Sequence, residues 1–198
     1  LGIFEFMGSE VSSEKPTRTL TKRVAMAIKD IKRRGGKIAV VAGPAVIHSG
    51  ASAALAKMIR EGYIDLLLAG NGMAVHDMEY AIYGTSLGVN LETGEVTEYG
   101  HRNHLRTINM IREAGSIKDA VKKGIVKKGI MYELVKNEIP FLLSGSIRDD
   151  GPLPDVVTDV IDAQGRMRDL LRDIDMVLMF STMLHSCLLY TSDAADEL

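Results

Sequence analysis

Four short stretches of this chain are apolar from end to end instead of alternating: KIAVVAG (37–43), IDLLLAG (64–70), IPFLLSG (139–145) and IDMVLMF (174–180). A strand with one wet face shows a period of two. A strand rich in Val, Ile and Leu on both faces has to be covered on both faces. Such strands belong to a parallel sheet, and parallel neighbours need long crossover connections, usually helices. This feature is the sign of a parallel sheet covered on both faces.

The segments between these strands carry the helical period. TLTKRVAMAIKDIKRRGG (19–36) sets Leu20, Val24, Ala27, Ile28 and Ile31 on one stripe and ends at Gly35-Gly36. ASAALAKMIREG (51–62) is a second helix, closed by Gly62. Helices are predicted at 76–84, 101–114, 116–123 and 129–137, with a surface loop at 88–96. A longer one is predicted at 154–173, with Val156, Val157, Val160, Ile161, Met167, Leu170 and Leu171 inward and Gly165 interrupting it. Strands alternating with helices predict an α/β domain, a Rossmann-like, mostly parallel sheet with helices on both faces.

The two ends read differently. Residues 1–17 (LGIFEFMGSEVSSEKPT) look like a linker. Cys187–Leu198 (CLLYTSDAADEL) matches the in-frame translation of a transposon-end sequencing adapter and is set aside from the fold. The chain has 24 basic and 26 acidic residues, and without that tail's Asp193, Asp196 and Glu197 the balance is 24 against 23. This offers no electrostatic footprint for nucleic acid or an anionic membrane. No apolar run approaches the ~20 residues of a bilayer span. Cys187, in the tail, is the only cysteine. Disulfides and thiolate metal sites are therefore not expected, and a cytoplasmic setting is.

In open parallel sheets, ligands bind beyond the carboxyl ends of the strands. The four exits here are GPAVIHSG (43–50), GNGMAVHD (70–77), SGSIRDDGPLPD (144–155) and STMLHS (181–186), each supplying Gly, Ser, Thr, Asn or Asp. The second is a G-x-G-x-x-V run that follows a strand and opens a helix. Its glycines would let backbone N–H groups approach a pyrophosphate at a helix N-terminus. A tight strand-to-helix turn explains the same glycines. His48, His76 and His185 could serve a site or simply pack. An acid in Arg148-Asp149-Asp150-Gly151 could accept a bond from a ribose hydroxyl, or the run could be a solvated turn. Asp77 could serve chemistry or suit the start of its helix. His101 and His104 are three apart on one helical face, but no carboxylate or cysteine nearby in sequence completes a set, so no metal is expected.

FEFMGSEVSSEKP (4–16), GPAVIHSG, AGNGMAVHDMEYAIYGTSLG (69–88), GIMYELVKNEIPFLLSGSIRDDGPLPDV (129–156) and STMLHS, in this order, resemble the archaeal-type, NAD-dependent ornithine cyclodeaminases. This LOR/SDH-type family includes the cyclodeaminase part of bifunctional arginine dihydrolase/ornithine cyclodeaminases. The resemblance runs from about Phe4 to Ser186. It implies an NAD-binding domain over 18–186, preceded by the linker from an N-terminal domain. By the resemblance, NAD would meet Asn71, Gly72, Asp150, Ser181, Thr182, Met183, Leu184 and His185. Gly72 departs from the alanine that members often carry, a change that keeps backbone contacts and loosens the turn.

The reaction so implied converts L-ornithine into L-proline and ammonia, with the cofactor returned unchanged. A base must bring an ammonium to its neutral form. His76 and Asp77 are the candidate catalytic residues, with Asp149 and His101 also on the rim. Arg148 and Arg102 are candidates for the substrate carboxylate. The family also implies a homo-oligomer. Two other readings remain open: a non-catalytic NAD-binding or regulatory domain, and a deoxyhypusine-synthase-like enzyme acting on another amine.

Overall fold

The structure is a computed structural model that describes residues 16–86, 89–90, 100–146 and 149–180. The adapter-like tail, the STMLHS exit and all but the last two residues of the expected linker lie outside them. The helix α1 (Pro16–Arg33) already begins at Pro16, a residue suited to the first helical position because its missing N–H would be unpaired there anyway.

The order continues with β1 (Ile38–Ala42), α2 (Ala45–His48), α3 (Ser52–Arg60), β2 (Leu66–Gly70), α4 (Asn71–Tyr83), β3 (Thr85–Ser86) and β4 (Val89–Asn90). Then come α5 (Gly100–Ala114), α6 (Ile117–Lys122), α7 (Ile130–Lys136), β5 (Phe141–Ser144), β6 (Val156–Val157), α8 (Val160–Leu171) and β7 (Met176–Phe180). The main sheet runs β6-β5-β2-β1-β7, and all its neighbours are parallel. β3 and β4 form a separate antiparallel pair, so part of the expected 88–96 loop is strand.

The sheet's two faces explain the unbroken apolar runs. Ile38, Val40, Ala42, Leu67 and Ala69 point into the larger core, with Val46, Ile47, Ile59, Met73, Met78, Ile111 and Ile130 from the helices. Ala39, Val41, Leu66 and Leu68 point the other way, onto Ala163 and Met167 of α8. Each fully buried Ile or Leu contributes about 1.5–3 kcal/mol by leaving water. β1 and β2 are buried along their whole length and β5 from Leu142 to Ser144, whereas β7, at the sheet's edge, is buried only at Leu178.

The chain steps outward from β1 through β2 and β5 to β6, then returns to place β7 on β1's other side. The strand order reverses beside β1, and the exits of β1, β2 and β5 share one edge of the sheet. A crevice at such a reversal is where α/β folds take their ligands.

Three expectations need correction. α4 starts at Asn71, directly on Gly70, instead of at 76. The helix expected over 154–173 is split: Val156-Val157 is a fifth strand and α8 starts at Val160. Pro154 disfavours helix just before it, and the β-branched run Val156-Val157-Thr158 favours strand. Asp159 then caps α8, its side chain accepting from Ile161 N at 2.9 Å and Asp162 N at 3.0 Å. Ile161 is consequently 82% exposed instead of inward, Val160 and Leu170 are about 40% exposed (42% and 39%), and Gly165 interrupts nothing. Leu20 is exposed too, because α1 meets the core through Val24, Ile28 and Ile31 farther along. No helix among the described residues is long and apolar enough to cross a membrane.

Candidate functional site

The site grows from α4. This helix leaves β2 at Gly70 and plunges into the molecule, so Asn71 and every residue from Met73 to Glu79 are buried. A helix buried all round must find partners for its polar side chains. Asn71, His76, Asp77 and Glu79 each do so, and their partners assemble the site.

Asn71 ties two exits together. Its Nδ2 donates to Gly151 O at 3.1 Å, and its Oδ1 accepts from Leu153 N at 3.0 Å. Arg112 holds the same loop from α5, with Nε and Nη2 donating to Pro152 O at 3.1 and 3.0 Å. Asp155 anchors its far end by accepting from Ile117 N at 2.8 Å. The Asp150 loop is thus stapled over the carboxyl ends of β2 and β5. The side chain of Asn71 positions this loop, so any ligand contact from this residue falls to its backbone.

The first turn of α4 is suited to an anion. Its cap, Gly70, is extended and offers no side-chain acceptor, so the first-turn N–H groups lack partners within the helix. At Gly72, a Cβ would meet only Pro44 Cγ within 4 Å, at 3.9 Å. Backbone can therefore be approached closely, and the helix end carries positive potential. The half-exposed carboxylate of Asp150 stands on the neighbouring loop, as an acceptor for a ribose hydroxyl would. Backbone donors at a helix start and a nearby carboxylate are the kinds of group that phosphate and sugar hydroxyls take.

Three imidazoles sit beside this turn. His48 of α2 meets His76 edge-on at 5.0 Å between ring centroids, and His76 meets His104 of α5 at 4.9 Å. His76 Nδ1 lies 3.0 Å from Ser86 Oγ. Burial, together with the neighbouring His104 and His48, lowers the His76 pKa to about 4, against the opposing pull of Glu79 and Asp150. Near neutral pH the ring is uncharged. Behind it, Glu79 accepts from Thr85 Oγ1 at 3.1 Å and from His104 Nδ1 at 3.1 Å. A carboxylate reaches His104 from α4, and the ring nitrogens of His76 and His104 and a Glu79 oxygen lie within 4.8 Å of one another. Protein donors occupy both Glu79 oxygens.

Asp77, the neighbour of His76, faces elsewhere. It is fully buried; Oδ1 accepts from Ile130 N at 3.0 Å and Ser52 Oγ at 3.0 Å, and Oδ2 from Met131 N at 2.8 Å. It caps α7 from another helix. Burial raises its pKa, while the three donors pull the other way.

The structure thus brings Asn71, Gly72, His76 and Asp150 to one edge and turns Asp77 inward. Ser181, Thr182, Met183, Leu184, His185 and Arg148 lie outside the described residues, as does the side chain of His101. Sequence reasoning missed Glu79, Thr85, Ser86 and Asn103. The one usable signal was His76-x-x-Glu79, an i,i+3 pair on a single helical face.

Comparison with known proteins points one way. The family model for the arginine dihydrolase ArgZ-like C-terminal Rossmann fold matches residues 22–190. An ornithine cyclodeaminase of Methanothermobacter thermautotrophicus is 60% identical over 185 residues, covering 93% of this chain and 45% of the relative. The bifunctional arginine dihydrolase/ornithine cyclodeaminase ArgZ of Synechocystis is 50% identical over 183 residues, covering 92% of this chain and 26% of the relative. The crystal structure of AgrE with ornithine and NAD+ superposes with a TM-score of 0.86 at 50% identity, over 90% of this chain and 26% of that one. A LOR/SDH protein from Methanococcus maripaludis superposes at 0.84 with 53% identity, over 91% of this chain and 56% of that one. The chain spans about 45% of the length of the archaeal relatives it matches.

Proposed function

The chain belongs to the ArgZ-like C-terminal Rossmann-fold family, and from that premise we propose that it is the NAD-holding part of an ornithine cyclodeaminase, turning L-ornithine into L-proline and ammonia. One observation carries this reading: Asn71, on the phosphate-suited first turn of α4, is hydrogen-bonded to the loop that presents Asp150. Two groups a dinucleotide would need, far apart in sequence, are held at one rim beside buried imidazoles. The relative AgrE, whose structure contains ornithine and NAD+ together, supports the same ligands here.

When bound, NAD supplies reversible hydride acceptance at the substrate's α-carbon. The chain's own groups do the rest. The backbone at Asn71 and Gly72 holds phosphate, and Asp150 accepts from a ribose hydroxyl. Residues Ser181–His185 complete the cofactor contacts by family resemblance. His76, buried and uncharged near neutrality, orients the substrate amine and keeps water out. Asp77 serves this site indirectly, by fixing α7 against α4 through its bonds to Ile130 N and Met131 N. The cofactor domain, which α1 opens at Pro16, is part of a longer enzyme, and the residues before it serve as its link to the rest.

The test is spectroscopic. Full-length protein loaded with NAD is mixed with ornithine and a panel of other amino acids and polyamines, following nicotinamide absorbance. A transient reduced-cofactor signal with ornithine and release of proline are expected. Bound NAD that stays oxidised with every amine would instead identify a non-catalytic cofactor domain.

A further inference from the structure

Glu79 is a fully buried carboxylate that the reading above leaves without a task. Its two oxygens end a donor chain. Asn103 Nδ2 donates to Thr85 Oγ1 at 3.2 Å, and Thr85 in turn donates to Glu79 Oε1 at 3.1 Å. From the other side, His104 Nδ1 meets Glu79 Oε2 at 3.1 Å. In the tautomer that donates to this carboxylate, His104 carries its proton on Nδ1. The basic atom is then Nε2, which lies 3.9 Å from Asp150 Oδ2 at the rim. A carboxylate behind an imidazole, with the other ring nitrogen aimed at a ligand site, is how proteins fix a tautomer and steady the imidazolium that forms on proton uptake. Its neighbour His76 is unsuited to hold a proton near neutrality, being itself held uncharged by burial.

We propose that His104 is the base that takes the proton from the substrate's α-ammonium, and that Glu79 is its positioning residue. The proposal rests on the reading that this rim takes an amino acid together with NAD. In the step, one ammonium N–H bond breaks and its electron pair stays on nitrogen. An Nε2–H bond forms, and the positive charge passes to an imidazolium lying against the Glu79 carboxylate. Among the described residues, the titratable groups that face it are Glu79 and His76 from α4, Asp150 from the 149–153 loop, and His48 of α2 through His76.

The test compares wild-type full-length protein with His104→Gln and Glu79→Gln, reading NAD content and the rate of ornithine-dependent NADH formation across pH. His104→Gln is expected to retain NAD and to form NADH about 10²–10⁴-fold more slowly near neutral pH. That defect should shrink at alkaline pH, where the amine loses its proton unaided. Glu79→Gln should lose less rate and shift the acid limb of the profile to lower pH, because an imidazolium without its carboxylate is less stable. The wild-type profile, which needs no variant to fold, should show that acid limb. An unchanged rate in His104→Gln, beside a working wild type, overturns this assignment alone. Loss of NAD in step with rate would make His104 structural and likewise overturn it. So would stoichiometric divalent metal whose removal abolishes the signal, since Glu79 and His104 would then be its ligands. Silence of the wild type with ornithine overturns the reading of the site and this inference with it.

Discussion

Asn71 shows how much can hang on one side chain at a helix start. Both ends of its amide are used, one as donor to Gly151 O and one as acceptor from Leu153 N. Asn71→Asp keeps the acceptor and replaces the donor by an oxygen facing a carbonyl. The loop should loosen, and NAD affinity measured by calorimetry should fall about 10-fold or more, as expected for the loss of a buried bond worth about 1–3 kcal/mol. Gly129 is constrained differently: its φ of +101° disfavours any side chain, and a Cβ would come within 2.8 Å of Asp77 Oδ2. Gly129→Ala should cost about 2–3 kcal/mol in denaturant unfolding. His76 couples stability to pH. Its folded pKa of about 4 lies below the ordinary 6.5, so between those values the unfolded chain binds a proton that the native state refuses. Stability is fully present above 6.5 and is lost as pH falls through about 4, by at most about 3 kcal/mol. Unfolding curves across this window should show the slope in the wild type and a flatter one in His76→Asn. At this scale the sequence was legible where a residue's role is local, as with the glycine-bearing turn at 70–72. It was opaque for Asp77 and Glu79, whose partners lie 53 and 25 residues away.

Elements were legible in proportion to their length and periodicity. The four apolar runs all became strands, β1 and β2 buried along their whole length and the edge strand β7 only in part. The fifth strand escaped, since the two residues Val156-Val157 fit the apolar spacing of the following helix as well as they fit an extended pair. The deciding signals were Pro154 and the capping Asp159, chemistry at a boundary and not a period. The corrected α8 predicts an asymmetry along one helix. Ile161, at 82% exposed, should accept Lys with less than about 0.5 kcal/mol lost. Met167→Ala, at a position with no exposure, should cost about 2–5 kcal/mol. Denaturant midpoints of the two variants decide it, and the reverse order would restore the longer helix read from periodicity.

At the scale of the molecule, the sheet order matters more than any motif. The G-x-G-x-x-V run follows β2, whereas the strand order reverses beside β1, between β2 and β7. No periodicity states that order; it emerges from which crossovers leave each strand covered. Parallel pairing of β1 with both β2 and β7 sets the exits of β1 and β2 side by side, and Asn71 adds the exit of β5. A ligand held there touches segments separated by some eighty residues and should stabilise them as one unit. At a hundredfold excess over Kd, NAD should stabilise the fold by about 2.7 kcal/mol. Hydrogen exchange should slow together at 43–49, 71–75 and 149–153, because the same bound ligand must leave before any of them opens. The solvent face of α8, on the opposite side of the sheet, should gain only what global stabilisation confers. Protection confined to one of the three exits would mean that the ligand sits on a single loop, and the shared rim would lose its role.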